Sequence, residues 1–153
     1  MPDGKLTIFE YAGGTPAFQE LTTAFYAKVK MDPQLQPVFK DFTDEHVVRV
    51  ALWLGEVFRG PEAYSEQRGG HLTILGAHAG KHITKAQRDR WVELMIETAG
   101  EVLPAAKVFQ ERFRSYIEFG ADIAVRASQS DQPPPSAGAI PKWDWEPGAT
   151  PEW

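Results

Sequence analysis

The apolar residues of this chain recur three and four positions apart, in segments cut short by glycine and proline. That spacing restricts the chain to packed helices. Phe18, Leu21, Phe25, Tyr26 and Val29 form one such series. Thr15-Pro16 precedes it; threonine can cap a helix and proline suits its first position, so a helix is predicted from there to Met31. A short apolar piece at 6–11 ends at Gly13-Gly14. Asp32-Pro33 opens a further short turn through Val38-Phe39. Thr43-Asp44-Glu45 caps the next helix, with acidic residues well placed in the first turn. It is predicted to run to about Phe58, where Gly60-Pro61 stops it. Being apolar on more than one side, it belongs at the centre of the fold.

The middle of the chain reads differently. Tyr64-Ser65-Glu66-Gln67-Arg68-Gly69-Gly70 is polar and glycine-rich, and is predicted to be a loop. Residues 72–79 suffice for a short helix before Gly80. Thr84-Lys85-Ala86-Gln87 is a capping box, opening a helix to about Ala99 that ends at Gly100. Pro104 begins a long last helix whose stripe is Phe109, Phe113, Tyr116, Ile117, Gly120, Ile123 and Ala124. No convincing strand pair, repeat or heptad run is found, so the fold class is all-α. A folded domain is assigned to residues 1–128 and a Pro/Trp-rich arm to 129–153.

Composition narrows the function. The chain has 153 residues, enough for one domain with a sizeable core. It has no cysteine, which removes disulfides, thiolate metal ligands, iron–sulfur clusters and cysteine nucleophiles together. A net charge of −5 without a basic stripe argues against nucleic acid as a partner. No apolar run is long enough for a bilayer, so no membrane is expected. Residues 1–5 carry no signal-peptide pattern, and a cytoplasmic protein is expected.

Two histidines stand out. His78 lies in Gly76-Ala77-His78-Ala79-Gly80, ahead of the helix that carries Trp91; His46 lies near the start of another helix. Imidazoles on different helices, among aromatic and aliphatic residues, are suited to a flat iron cofactor. Each residue also has a plainer reading: His78 as a half-buried structural histidine, His46 as a surface residue of a first turn, Trp91 and Tyr26 as core. Haem propionates need cations at the mouth, and Arg68, Lys81 and His82 are the candidates. His71 reads as a surface residue.

The ordered set Phe25-Tyr26-Ala27-Lys28-Val29, Asp32-Pro33, Gly60-Pro61, Tyr64-Ser65-Glu66-Gln67-Arg68-Gly69, His78-Ala79 and Asp89-Arg90-Trp91 resembles the group II truncated haemoglobins, the 2-on-2 globin family. The likeness covers roughly residues 6–128. It implies a 2-on-2 globin fold carrying the extended arm, and one b-type haem; no Cys-x-x-Cys-His motif exists for covalent attachment. By this resemblance His78 is the proximal ligand to iron. Trp91 directs its indole N–H to the distal side, and Tyr26 is the distal tyrosine. Phe39 wedges against the haem where many relatives have tyrosine. His46 takes the gate position, where many relatives have a small residue, with Val50 one turn further along. His46 either binds iron or donates a hydrogen bond.

Three functions follow as alternatives: an oxygen-binding protein for transport or sensing, also taking other diatomic gases; a haem enzyme, as a nitric-oxide dioxygenase or peroxidase; or a helical interaction module without haem. A reductase partner and a monomeric or homodimeric state belong to the first two. Three of the five tryptophans lie in the arm, so it is expected to pack on the domain or a partner. Every residue assigned to the pocket precedes it, so its removal is expected to leave haem binding intact.

Overall fold

Eight helices form among the residues that the computed structural model describes, which are 6–39, 42–135 and 138–145. Residues 1–5, and Trp153 of the arm, lie outside them. The helices are α1 (Ile8–Ala12), α2 (Gly14–Lys30), α3 (Gln36–Phe39), α4 (Asp44–Val57), α5 (Ala63–Arg68), α6 (His71–His78), α7 (Lys85–Val102) and α8 (Lys107–Ser128). No strand occurs among the described residues.

Local chemistry explains most of the boundaries. Thr7 and Glu10 form a capping box on α1: Glu10 N donates to Thr7 Oγ1 at 3.1 Å, and Thr7 N donates to Glu10 Oε1 at 2.9 Å. Gly13, at φ 116°, closes α1 and caps α2 in one residue. An added Cβ there would sit 3.1 Å from Ala17 Cβ, so only glycine fits without strain. The Gly69-Gly70 pair is likewise left-handed, at φ 91° and 77°, and separates α5 from α6. The Thr84–Gln87 capping box opens α7 as predicted. That helix continues through Gly100 to Val102, because nothing crowds Gly100 and Pro104 supplies the stop. Leu103, ahead of the proline, is extended. The last helix starts at Lys107, three residues later than predicted. Gln110 Nε2 donates to the carbonyls of Ala99 and Pro104 at 3.1 and 2.7 Å and ties the intervening turn to it.

The segment predicted as a loop is helix α5. Its order comes from far away in sequence. The Glu56 carboxylate, 1% exposed, accepts from Ser65 N at 2.8 Å and from the Ser65 hydroxyl, while Lys142 Nζ lies 3.3 Å from it. Local polarity and glycine content could not reveal that anchor. Burial alone raises the Glu56 carboxyl, but the Ser65 hydrogen bonds and Lys142 outweigh it and hold the group below its ordinary 4.5. A depressed folded-state value adds stability that is present above 4.5 and is lost as the pH falls through the folded value. Glu56→Gln is therefore expected to destabilise the protein at neutral pH, by a margin that shrinks in acid. Denaturant unfolding across the acid range checks this; a pH-independent difference would assign the loss to packing alone.

Helix α2 packs on α4 and α7, α7 on α8, and α6 on α8, so α2–α4 and α7–α8 form two helix pairs. Stacked rings join them: Phe9 on Phe18, Phe18 on Phe58, Phe58 on Phe113 and Phe113 on Phe109, with centroids 5.6–6.2 Å apart. Each contact contributes about 0.5–1.5 kcal/mol beyond its buried area. Residues 138–145 run extended against this assembly, with Ile140 2% exposed.

Candidate functional site

Between the pairs lies a cavity of ≈ 470 Å³, lined mostly by apolar side chains. Its size lies within the range of about 300–1,000 Å³ usual for small-molecule and cofactor sites. Helix α6 supplies His78 from its last turn and α4 supplies His46 from its first, and both line the cavity.

The His78 ring is oriented by its own helix. Nδ1 lies 2.8 Å from the Ile74 carbonyl, which can only accept, so Nδ1 carries the proton. Burial holds the ring below its ordinary value and therefore neutral, with Lys81 adding to the effect against the Ile74 bond. Nε2 is then the nitrogen with the lone pair, the state in which imidazole binds a metal.

The cavity lining also carries a hydrogen-bonded pair. Tyr26, buried on α2, has its hydroxyl 3.0 Å from His46 Nε2. Trp91 lines the same cavity. Burial pushes the Tyr26 phenol well above its ordinary value, and the nearby Trp91 indole offsets only part of that. His46 is pushed down to about 4 by burial first and then by His78, Arg49 and Lys81. Both side chains are neutral at neutral pH. Phe39 packs on Tyr26 and His46, at 5.8 Å from each ring, and Val50 lines the wall one turn beyond His46. Trp91 meets Phe25 edge-on at 5.4 Å.

Seven of the nine residues singled out from sequence thus meet at one cavity: His78, Trp91, Tyr26, Phe39, His46, Val50 and Lys81. Arg68 and His82 do not line it. Arg68 Nε lies 2.7 Å from Glu45 Oε1, and His82 Nε2 lies 3.0 Å from Asp131 Oδ1. Among the described residues the cations that do line it are Arg49, Lys81 and Arg88; Arg88 is tied to Asp89 and Asp122, and Arg49 Nε lies 3.5 Å from Glu45 Oε1. His71, read as a surface residue, lines it as well.

Sequence reasoning missed several wall residues. Trp53 lies seven residues after His46 on the same face of α4, a signal that helical spacing carries. Tyr116 was legible as part of a core stripe, but not as a cavity wall facing Trp53 at 6.0 Å. Phe42 packs on Tyr26 at 5.2 Å from an irregular connection that has no period to read. Pro141, in the arm, also lines the cavity, against the expectation that every pocket residue precedes 129.

Comparison with known proteins agrees with this architecture. The profile of the Bacterial-like globin family matches residues 7–123. A haemoglobin of Chloroflexus aurantiacus is 30% identical, with a TM-score of 0.70 over 78% of this chain and 98% of its own. A group 2 truncated hemoglobin of Bacillus subtilis is 27% identical over 89 residues, 58% of this chain and 67% of its own. A group II 2-on-2 hemoglobin of Agrobacterium tumefaciens has a TM-score of 0.70 at 21% identity, over 81% of this chain and 97% of its own, a likeness of fold.

Proposed function

The chain belongs to the bacterial-like globin family, with the 2-on-2 fold of the group II truncated haemoglobins, and from that premise we propose that it holds one b-type haem in the cavity, ligated by His78, and reversibly binds oxygen and other diatomic gases. The observation that carries this reading is the pair of imidazoles lining one apolar cavity, with His78 Nε2 left unprotonated by the Ile74 bond.

Haem, when bound, supplies iron with an open coordination position for a diatomic ligand. The side chains do the rest. His78 would hold the iron through Nε2, and the Ile74 carbonyl fixes its tautomer and ring direction. Trp91 can only donate a hydrogen bond, so its indole N–H is offered to a ligand in the cavity. Tyr26 then has two states. It donates to His46 when Nε2 is bare, or it accepts from His46 and frees its own O–H for the cavity when Nε2 is protonated. The distal set therefore presents hydrogen-bond donors to a ligand carrying partial negative charge. With Nε2 engaged by Tyr26, His46 acts as a hydrogen-bonding gate residue and not as an iron ligand. Phe39 and Val50 are apolar walls. Lys81, named for the propionate role from sequence, and Arg49 take that role at the cavity, while Arg68 and His82, named with Lys81, lie off it. The same reading carries a cytoplasmic setting and a reductase as redox partner.

The Tyr26–His46 bond also favours a second reading, a peroxidase or nitric-oxide dioxygenase, since that pair can hold and move a proton at Tyr26 Oη. Oxygen release and peroxide turnover, measured on the same preparation, separate the two. Reversible oxygenation with negligible turnover is expected. Rapid turnover with a reductant, together with very slow oxygen release, would replace the binding role by the enzymatic one.

A further inference from the structure

Helices α4 and α8 belong to different helix pairs and meet through large side chains: Phe58 on Phe113 and Tyr116, and Trp53 on Tyr116. The arm lies across this junction and holds both sides. Toward α4, Trp143 N donates to the Val57 carbonyl at 2.7 Å, and Lys142 pairs with the buried Glu56 carboxylate at 3.3 Å. Toward α8, the Trp143 ring meets Tyr116 at 5.4 Å and Phe119 at 5.5 Å. The Arg112 guanidinium stacks on that indole at 4.4 Å, and its Nε donates to the Asp144 carbonyl at 2.6 Å. Beyond it, Trp145 Nε1 donates to the Leu6 carbonyl at 2.8 Å while its ring meets Tyr11 at 5.5 Å. Ahead of these anchors Ile140 is buried, and Pro141 lines the cavity that Tyr116 and Trp53 also line.

From this placement we propose that residues 138–145 are a fixed strap that closes the α4–α8 end of the cavity and retains its cofactor, with Pro141 as wall and Trp143 as the anchor that positions it. The proposal rests on the haem reading above. A non-covalent haem is kept by one axial bond and by enclosure in apolar surface, so an opening between α4 and α8 admits water and lets the porphyrin leave. The family profile ends at residue 123, before the strap begins. Enclosure by 138–145 is thus a property of this chain, outside the part matched to the globin family.

The test uses the full-length holoprotein and follows haem transfer to an excess of a haem-free myoglobin acceptor by absorbance. Trp143→Ala is expected to speed transfer at least tenfold, while Trp143→Phe, which keeps a ring against Tyr116, stays near the unmodified rate. Leu94→Ala serves as control: it opens a buried position on α7 that does not line the cavity. It is expected to lower the melting temperature as much as Trp143→Ala does, with much less effect on transfer. Equal transfer rates for Trp143→Ala and the unmodified chain would overturn the strap, as would equal acceleration by Leu94→Ala. Failure of the unmodified chain to take up haem at all would instead refute the haem reading, and the strap with it.

Discussion

Replacing His78 with alanine is expected to leave the purified protein with little or no haem. His78 is the imidazole that the structure prepares for a metal, with Nδ1–H held by Ile74 at 2.8 Å and Nε2 left with its lone pair. His46 and His82 are committed elsewhere. His46 Nε2 is bonded to Tyr26 at 3.0 Å, and His82 Nε2 faces Asp131 at 3.0 Å, off the cavity. Alanine at 78 leaves a space that free imidazole can enter, so added imidazole is expected to restore a five-coordinate ferrous spectrum. Haem content and a ferrous spectrum unchanged without imidazole would place the ligand elsewhere, with His71 the next cavity imidazole to examine.

Trp91→Phe is expected to speed oxygen dissociation by roughly one to two powers of ten. The change keeps an aromatic ring against Phe25 but deletes the indole N–H that this reading offers to an iron-bound ligand carrying partial negative charge. A hydrogen bond to a charged acceptor contributes about 1.5–3 kcal/mol, and about 1.4 kcal/mol corresponds to a tenfold change in rate. Bound carbon monoxide is far less polar and is expected to respond much less, which separates lost hydrogen bonding from a merely larger cavity. An unchanged oxygen off-rate, measured by stopped flow, would assign the stabilisation to Tyr26 and His46. A parallel rise for both gases would point to loosened packing.

Much of this site was legible in the sequence because its parts sit on helices with regular spacing. Tyr26 falls within the apolar series of α2, His46 and Val50 are one turn apart on α4, and Trp91 follows a capping box that fixes where α7 begins. What escaped depends on contacts between residues distant in sequence. Helix α5 is ordered by Glu56 from the end of α4, so its glycine-rich, polar composition was misleading. Arg68 had the right chemistry for a propionate, but Glu45 lies 2.7 Å from it and turns it to another task. His82, at φ 47°, is carried away from the cavity, and its N–H donates to the Ser128 carbonyl at 2.9 Å. Pro141 reaches the cavity only because Trp143 and Lys142 bind the chain across α4 and α8, and nothing local in a proline-rich tail announces that.

The central claim, that His78 holds haem in this cavity, is tested most directly by titrating the haem-free full-length protein with ferric haem and recording the spectrum after reduction. Saturation at one haem per chain is expected, with a five-coordinate ferrous spectrum that converts reversibly to an oxygenated form. Binding without a defined stoichiometry, or a ferrous spectrum in which two histidines occupy both axial positions and oxygen does not displace either, would contradict it.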